Sequence, residues 1–592
     1  MDRKSIIVLL ASIGLILLWP KLVDQIYPRK PLPQKTTSVS GATNLPASTN
    51  LEISDSTLTS SNTLPVPVLN KNAPEELLVV TNDTTIFTFT SHGGGLKLIE
   101  LKGYLASVDC TRKTAPLTNS LASLNTHAPI PILDLIGNEF WQSEPVFQLV
   151  RTDSGVRAEK VFPGDLKLVK EFVLGSNYLL NVKVRLENHS SEARKIPEQE
   201  WVIGTATPLS VHDSGQSVGL FWYNGSKAEH ITEPWFANRT LGCIPGTPRR
   251  DYLSPSGASN VVWAAVHNQF FALAIMPQQP VPQVIARHID LPPPSQEILT
   301  NDSKAIRKPV GFQTAILYPA SILKPNEAIE KQFTIYAGPK EYNTLARLGD
   351  RLKNNLDAIM DFGGFFGFFA KALLLSMNGL HAFGLTYAFA IICITIIVKL
   401  LFWPLTNAST KSMKRMQALQ PQMKAMQEKY KGEPQKLSRK QMEFYKEHKV
   451  NPVGGCLPML LQIPVFFGFY KMLQSAIELR GASFLWACDL SQQDTIAHVA
   501  GFPVNPMPLI MGATMLWQAH LTPAAPGADA AQQKMMKYMP LMFIVFLYNR
   551  EAGLTLYWTV QNLLTILQTK LTKAKEEPVQ TPIIITPPKK KK

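Results

Sequence analysis

Residues 391–406 read IICITIIVKLLFWPLT, sixteen positions with one charge, Lys399. A run this apolar, continued by apolar residues on its N-terminal side, reads as a helix crossing roughly 30 Å of hydrocarbon. An ammonium in that setting costs roughly 3 kcal/mol even on lenient insertion scales, so the fold has to supply something that holds it. Two answers are open. The side chain snorkels to the interface near Trp403, about 6 Å away along the helix at 1.5 Å per residue, or it faces a polar interior between helices.

Working outward, five apolar segments of sufficient or nearly sufficient length fall at 384–404, 452–473, 507–520 with flanks, 538–548 and 554–570. The last two are short and are separated by NREAG, whose Arg550 and Glu551 favour a tight hairpin over one long helix. Further upstream, MDRKSIIVLLASIGLILLWP at 1–20 has two basic residues and then an apolar run followed by bulky, charged WPKLVDQIYP rather than a small-residue cleavage pattern. It reads as an uncleaved anchor, with Arg3 and Lys4 keeping the N-terminus in the cytoplasm.

The chain of 592 residues exceeds what one core normally organises, and its composition divides it. Residues 31–73 are Ser, Thr, Pro and Asn with few large apolar groups, the signature of a flexible tether. From about 74 to 340 the pattern has period two: Val182, Val184 and Leu186 alternate with Lys183, Arg185 and Glu187, and TIFTFT at 85–90 repeats the theme. With frequent Gly and Pro turns, this predicts an antiparallel β-sandwich beyond the membrane. Residues 362–383, FGGFFGFFAKALLLSMNGLHAF, are aromatic but broken by Lys371, Asn378 and His381, which predicts a helix lying along the interface.

The formal charge of +15 invites a nucleic-acid reading, but the bases sit in short segments between apolar stretches, as cytoplasmic membrane loops do. The loop 406–450 holds eleven Lys and Arg against Glu428, Glu433, Glu443 and Glu447. By contrast, the 474–506 loop has Arg480 alone against Glu478, Asp489 and Asp494, and the tail is basic again. Six spans with both termini cytoplasmic satisfy the positive-inside rule at every short loop. The five cysteines are scattered and odd in number, without CxxC spacing, so no zinc site or disulfide framework is indicated; a Cys110–Cys243 bridge is possible and unsupported.

Catalytic signatures do not emerge. The chain has no GxxxxGK[ST] loop, HExxH or GxSxG, and His212–Asp213 reads as a satisfied surface turn. No cofactor or metal is expected. What stands out instead is architecture. Met413, Met416, Leu419, Met423, Met426 and Tyr430 form one apolar stripe flanked by lysines in the first arm of a helical hairpin broken at GEP 432–434. Such a stripe packs on the second arm, or offers an adaptable surface to apolar clients. The segment NPVGGCLPMLLQIPVFFGFY at 451–470 carries three prolines, three glycines and Gln462, tolerated at membrane depth only where protein or water satisfies the freed groups. Gln518, Gln561, Asn562 and Thr395 add polar groups in other spans, either for interhelical hydrogen bonds or, gathered with Lys399, for a wet cavity.

These motifs, with FWPLT at 402–406, QQKMMKYMPLMF at 532–543 and GLTLYWTVQNLLTILQ at 553–568, closely resemble the YidC family of membrane protein insertases of Gram-negative bacteria. The resemblance implies a polytopic α-helical membrane protein of six transmembrane helices, with a large periplasmic antiparallel β-sandwich domain and a cytoplasmic helical hairpin. The domain plan is an anchor at 1–27, a tether at 28–73, the β domain at 74–340, interfacial helices at 341–383, a five-helix core at 384–572 with the hairpin at 406–450, and a basic cytoplasmic tail at 573–592. It further implies an inner-membrane chaperone that inserts nascent membrane proteins alone or with the Sec translocon, meeting ribosomes and targeting factors through its cytoplasmic loops and tail, and membrane lipid. Its site would be a hydrophilic groove with one basic residue, which falls on Lys399 where the family mostly has arginine, beside Thr395, Gln462 and Gln561. An apolar client slide would map onto Cys456, Pro464, Phe466, Phe543, Phe546 and Trp558, the last at a position often tyrosine. In this family the β domain resembles a sugar-mutarotase sandwich; no catalytic pair is visible in it here, which assigns it to scaffolding or partner contacts. A solute transporter would show internal repeats, which are not found, and a membrane-anchored carbohydrate enzyme would need a cleft with carboxylates or histidines in the β domain.

Overall fold

The computed structural model describes residues 74–572 apart from 107, 109–119, 143–145, 212, 214, 216, 239–245, 256–259, 302–304, 431, 449–456, 500–501 and 522–529. The anchor, tether and tail therefore lie outside the described residues, as do Cys456 and His212.

The alternation read at Val182, Val184 and Leu186 places those side chains inward along the strand Leu179–Asn188. That strand belongs to a nine-stranded antiparallel sheet. Edge to edge the sheet runs Ala228–Thr232, Gly219–Tyr223, Trp263–His267, Phe271–Pro277, Ala328–Pro339, Leu179–Asn188, Leu166–Leu174, Gly155–Phe162 and Gln148–Thr152. A five-stranded sheet (Asp251–Leu253, Gln283–Asp290, Val310–Tyr318, Gln199–Ala206, Leu135–Ile136) and a four-stranded one (Leu77–Thr81 to Leu121–Leu124) complete the domain. Phe87, Phe89, Leu168, Val182, Trp201, Phe312 and Ile316 meet in one core between these sheets.

Part of the large sheet departs from period two. Phe271–Pro277 is buried at all seven positions and Trp263–His267 at all five, because the sheet is covered on both faces. The second face carries Leu179, Phe221, Tyr223, Trp263 and Tyr336 into a cluster shared with the helical half of the molecule. Trp263 Nε1 donates to Asn354 O at 2.8 Å, and Asn355 Nδ2 donates to the Tyr223 hydroxyl at 2.8 Å, fixing the connecting segment to the sheet.

After the sheets, helices α1 (Tyr342–Leu352) and α2 (Gly364–Ala382) lead into α3 (Tyr387–Ala418), α4 (Gln420–Lys429), α5 (Pro434–Glu447), α6 (Leu457–Leu473), α7 (Pro506–Leu521), α8 (Ala530–Leu547) and α9 (Ala552–Leu571). Helix α2 packs closely on α6, where a Cβ on Gly468 would stand 2.7 Å from Phe369 Cβ. Helix α9 packs on α7 and α3.

Two helix bounds differ from the sequence reading. Helix α3 runs through Pro404 to Ala418 in 32 residues instead of ending at the proline, so the first arm of the helical hairpin continues it. Next to the proline, Thr406 Oγ1 and Gln568 Nε2 donate to Trp403 O at 3.2 and 3.5 Å. Helix α8 begins eight residues earlier than the apolar run at 538. The break at NREAG stands, since α8 ends at Leu547 and α9 starts at Ala552.

Helix lengths alone do not deliver six spans. Among the described residues one helix, Tyr387–Met416, is long and apolar enough to cross a membrane, while Leu460–Leu473 and Tyr538–Leu547 are shorter apolar stretches. The reason is physical: α7 has 16 residues, about 24 Å at 1.5 Å per residue, and α9 is 20 residues long but lined with Thr, Gln and Asn.

Candidate functional site

Lys399 is 6% exposed, enclosed where α3 faces α9. Its Nζ donates to Thr565 Oγ1 at 2.9 Å, and no carboxylate pairs with it among the described residues. An ammonium has three N–H donors, so a single hydroxyl leaves two for water or for a ligand. Thr565 in turn donates to Gln561 O at 2.7 Å, one helical turn back. From Gln561 the polar contacts cross to α6: Gln561 Nε2 donates to Gln462 Oε1 at 2.9 Å, and Gln462 Nε2 donates to the buried Tyr557 hydroxyl. Thus the structure links Lys399, Gln561 and Gln462 through Thr565, a residue the sequence reading missed; its signal was the spacing Gln561, Thr565, Gln568, Thr569, one polar stripe at helical period. Thr395 stands one turn from Lys399, but its hydroxyl donates to Ile391 O at 2.7 Å within its own helix.

The same seam continues toward the hairpin. Gln568 Nε2 donates to Thr406 Oγ1 at 2.7 Å, Thr572 Oγ1 to Asn407 Oδ1 at 2.8 Å, and Lys414 Nζ to Thr569 O and Thr572 O at 3.0 and 2.6 Å. Polar groups of α3 thereby line one side of α9 and its C-terminal end, and Asn562 reaches Thr514 of α7 at 3.1 Å on another. A buried ammonium with donors to spare and a ladder of hydroxyls and amides can hold water and polar backbone inside an otherwise apolar bundle.

Beside this seam lies an aromatic wall. Trp558 packs edge-on against Phe466 with centroids 4.7 Å apart and against Phe543 at 5.3 Å. Pro464 lies in the same helix as Phe466, and Phe546, 75% exposed, extends the apolar surface along α8 beside exposed Val545. Phe466, Phe543 and Trp558 are thus brought together; Cys456 lies outside the described residues.

In the hairpin, Met416 and Met423 are buried with Tyr445, with Leu419 and Phe444 packed around them, while Met413 and Met426 are half-buried. The methionine stripe therefore packs largely on the second arm. The lysines and arginines of α4 and α5 point outward, held at most by surface pairs such as Lys440–Glu443 at 2.6 Å.

A cleft of about 800 Å³ opens where the β domain meets the helices, with walls including His230, His267, Lys340, Asp361, Lys471 and Arg550. The two imidazoles lie 3.0 Å apart through their Nε2 atoms. Burial lowers His230 to about 4 despite nearby Asp361, and burial lowers His267 well below the ordinary imidazole range. Two of the cleft's carboxylates are committed, Asp361 to Lys471 at 3.2 Å and Asp213 to the turn amides of Leu209 and Gly215 at 3.0 and 2.9 Å; Glu233 and Glu551 also line it, and burial raises the Glu551 carboxyl above the ordinary carboxylate range. This boundary between β domain and helices therefore carries neutral imidazoles at ordinary pH.

Two family models match consecutive parts of the chain: the YidC periplasmic domain over residues 77–375 and the 60Kd inner membrane protein over residues 379–578. A membrane protein insertase YidC of Syntrophus aciditrophicus (strain SB) is 31% identical over 587 residues, covering 96% of this chain and 98% of that protein. One from Syntrophobacter fumaroxidans (strain DSM 10017 / MPOB) is 30% identical over 96% and 99% of the two chains. One from Geobacter sulfurreducens (strain ATCC 51573 / DSM 12127 / PCA) reaches 44% over 43% of this chain and 46% of its own length. A solved structure titled as an active YidC insertase with its first transmembrane domain resolved aligns at 16% identity with a TM-score of 0.34, over 85% of this chain and 94% of that one. Both models and the full-length relatives agree along the whole molecule: the chain belongs to the YidC family of membrane protein insertases, with a periplasmic β domain and an inner-membrane helical part.

Proposed function

We propose that this chain inserts nascent inner-membrane proteins and helps them fold, using the Lys399 seam as a hydrophilic groove and the Phe466–Phe543–Trp558 wall as the exit toward lipid. The observation that carries this reading is the enclosed ammonium with one hydrogen bond and no carboxylate among the described residues. Such a charge is costly to keep and has a use only if something comes to it. A client's short polar segment is drawn by the positive field into the seam, so it crosses only part of the bilayer at low dielectric. Its apolar helix then leaves along the aromatic wall. Membrane potential and client hydrophobicity provide the drive, and no covalent chemistry is involved.

In this reading α3, α6, α7, α8 and α9 form the five-span core, the N-terminal segment is a sixth span, and both termini are cytoplasmic. Charge distribution supports this orientation, with eleven bases in 406–450 and one in 474–506. The outward bases of the hairpin dock ribosomes or targeting factors, the tail 573–592 adds charge-driven affinity for ribosomal RNA or anionic lipid, and the periplasmic face is where the Sec translocon would be met.

The test is an insertion assay on folded variants with clients whose translocated segments are acidic or neutral. Lys399→Arg retains insertion, Lys399→Ala lowers it at least tenfold, and Lys399→Glu is worst for acidic clients because attraction becomes repulsion. Full activity of Lys399→Ala would overturn the groove reading and leave a snorkelling lysine in its place.

A further inference from the structure

The cleft between β domain and helices is lined by charges of both signs that their own surroundings leave unanswered. Lys340 follows the strand Ala328–Pro339, where its backbone N–H donates to Phe270 O at 2.7 Å and its side chain, 3% exposed, forms part of the cleft wall. Its ammonium has no hydrogen bond or ion pair among the described residues, and burial lowers it to about 8 with only Asp361 opposing. On the helical side, Glu551 immediately precedes α9, and its Oε2 is buried without a hydrogen-bond partner among the described residues. Arg550 also lines the cleft, its guanidinium 5.8 Å from the Tyr470 ring centroid and without an ion pair among the described residues. Asp361 cannot serve these cations fully, because it is shared by Lys471 at 3.2 Å and His230 at 3.8 Å. Asp213 is held by its turn amides, and Glu233 adds a carboxylate beyond the edge strand Ala228–Thr232.

The mouth of the cleft is apolar. Phe365 and Phe366 of α2 and Phe467 of α6 are 65%, 38% and 41% exposed, with ring centroids 5.3 Å apart for the first two and 5.0 Å for Phe366 and Phe467. An aromatic patch of this kind is costly against water and at home against hydrocarbon. Behind it, about 800 Å³ lies within the roughly 300–1,000 Å³ of small-molecule sites. A simple inorganic anion would answer Lys340 and Arg550 but leave Glu551 and the aromatic mouth without a partner. A ligand that answers all of them carries a negative group, an N–H-bearing cation and an apolar tail.

We propose that this cleft binds the headgroup of an amino-phospholipid of the phosphatidylethanolamine class from the leaflet beside the β domain. Lys340 and Arg550 take the phosphodiester, the second through its planar fork of N–H donors. Glu551 Oε2 accepts from the ammonium, and the acyl chains leave over Phe365, Phe366 and Phe467. The lipid then bridges the sheet and the helices at their boundary, a role separate from the Lys399 seam and independent of it.

Native mass spectrometry of the full-length protein, stripped of lipid in detergent and titrated with dioleoyl phosphatidylethanolamine, phosphatidylglycerol or phosphatidylcholine, reads the affinity of the first lipid bound. Phosphatidylethanolamine should bind about tenfold more tightly than the other two, since phosphatidylglycerol has no ammonium and phosphatidylcholine has no N–H for Glu551. Glu551→Gln should bring phosphatidylethanolamine to the level of phosphatidylglycerol, and Lys340→Met should weaken all three by about tenfold. Equal affinities of the parent for the three lipids would mean annular lipid only and overturn the proposal, whatever the variants do. Displacement of the bound lipid by an equal concentration of glycerophosphoethanolamine, inorganic phosphate or an acidic peptide would overturn it too, because the cleft would then belong to a soluble ligand.

Discussion

At the scale of single residues, the molecule treats two enclosed cations, Arg287 and Lys399, differently. Arg287 is paired in the β domain, with Nη1 and Nη2 donating to the two Glu200 oxygens at 2.6 and 2.9 Å and both side chains under 10% exposed. Breaking one side of such a pair strands a buried charge, so Arg287→Met or Glu200→Gln is expected to cost roughly 3 kcal/mol in denaturant unfolding. The double variant Glu200→Leu/Arg287→Met should recover most of that loss. Lys399 has only Thr565 among the described residues. Thr565→Val removes the anchor and keeps the charge, so it should cost roughly 1 kcal/mol in detergent-solubilised unfolding and leave insertion within a few-fold of the parent. A loss of insertion as large as that of Lys399→Ala would mean that position, not charge, is what matters at 399.

Among elements, the α2–α6 contact is the one with least slack. A Cβ on Gly468 would meet Phe369 Cβ at 2.7 Å and the backbone of Phe369 and Ala370 at 3.2 and 3.3 Å, atoms that cannot rotate away. Gly468→Ala should therefore cost about 1–3 kcal/mol and Gly468→Leu should prevent the pair from seating, read as loss of the folded species in detergent size exclusion. The hairpin of α4 and α5 shows the opposite economy. Its small core of Met416, Met423 and Tyr445 lies apart from the main clusters, so deleting 411–449 should stop insertion while the remaining core stays folded. Normal client insertion by that deletion would remove the hairpin from the mechanism.

For the whole molecule, the β domain and helices share a continuous apolar cluster from Trp263 and Tyr336 to Phe469 and Tyr557. At its edge His230 faces His267, Asp361, Lys340 and Lys471. His230 is lowered to about 4 by burial against an ordinary value near 6.5, so the unfolded chain binds more protons than the folded one between those values. Stability should fall as pH drops from about 6.5 and level off near 4, and His230→Gln should flatten that slope in thermal unfolding. An unchanged slope would show that the boundary titrates elsewhere.

Much of this plan was legible in the residues alone. The alternation at 182–187 fixes which part is sheet, while the apolar runs and the eleven bases of 406–450 carry the proposed spans and cytoplasmic loops, because hydrocarbon and water sort side chains by local composition. Local composition cannot say which helix faces which. Only packing decided that Lys399 meets Thr565 rather than Thr395, that Phe466, Phe543 and Trp558 share one wall, and that Trp263–His267 is buried on both faces. Nor could a single proline tell whether α3 stops at Pro404 or continues to Ala418, since the stretch beyond the proline packs on α9, whose Gln568 reaches Thr406 from some 160 residues away in the chain. Partners of this kind are set by rotation and register between helices, quantities that exist only once the bundle has assembled.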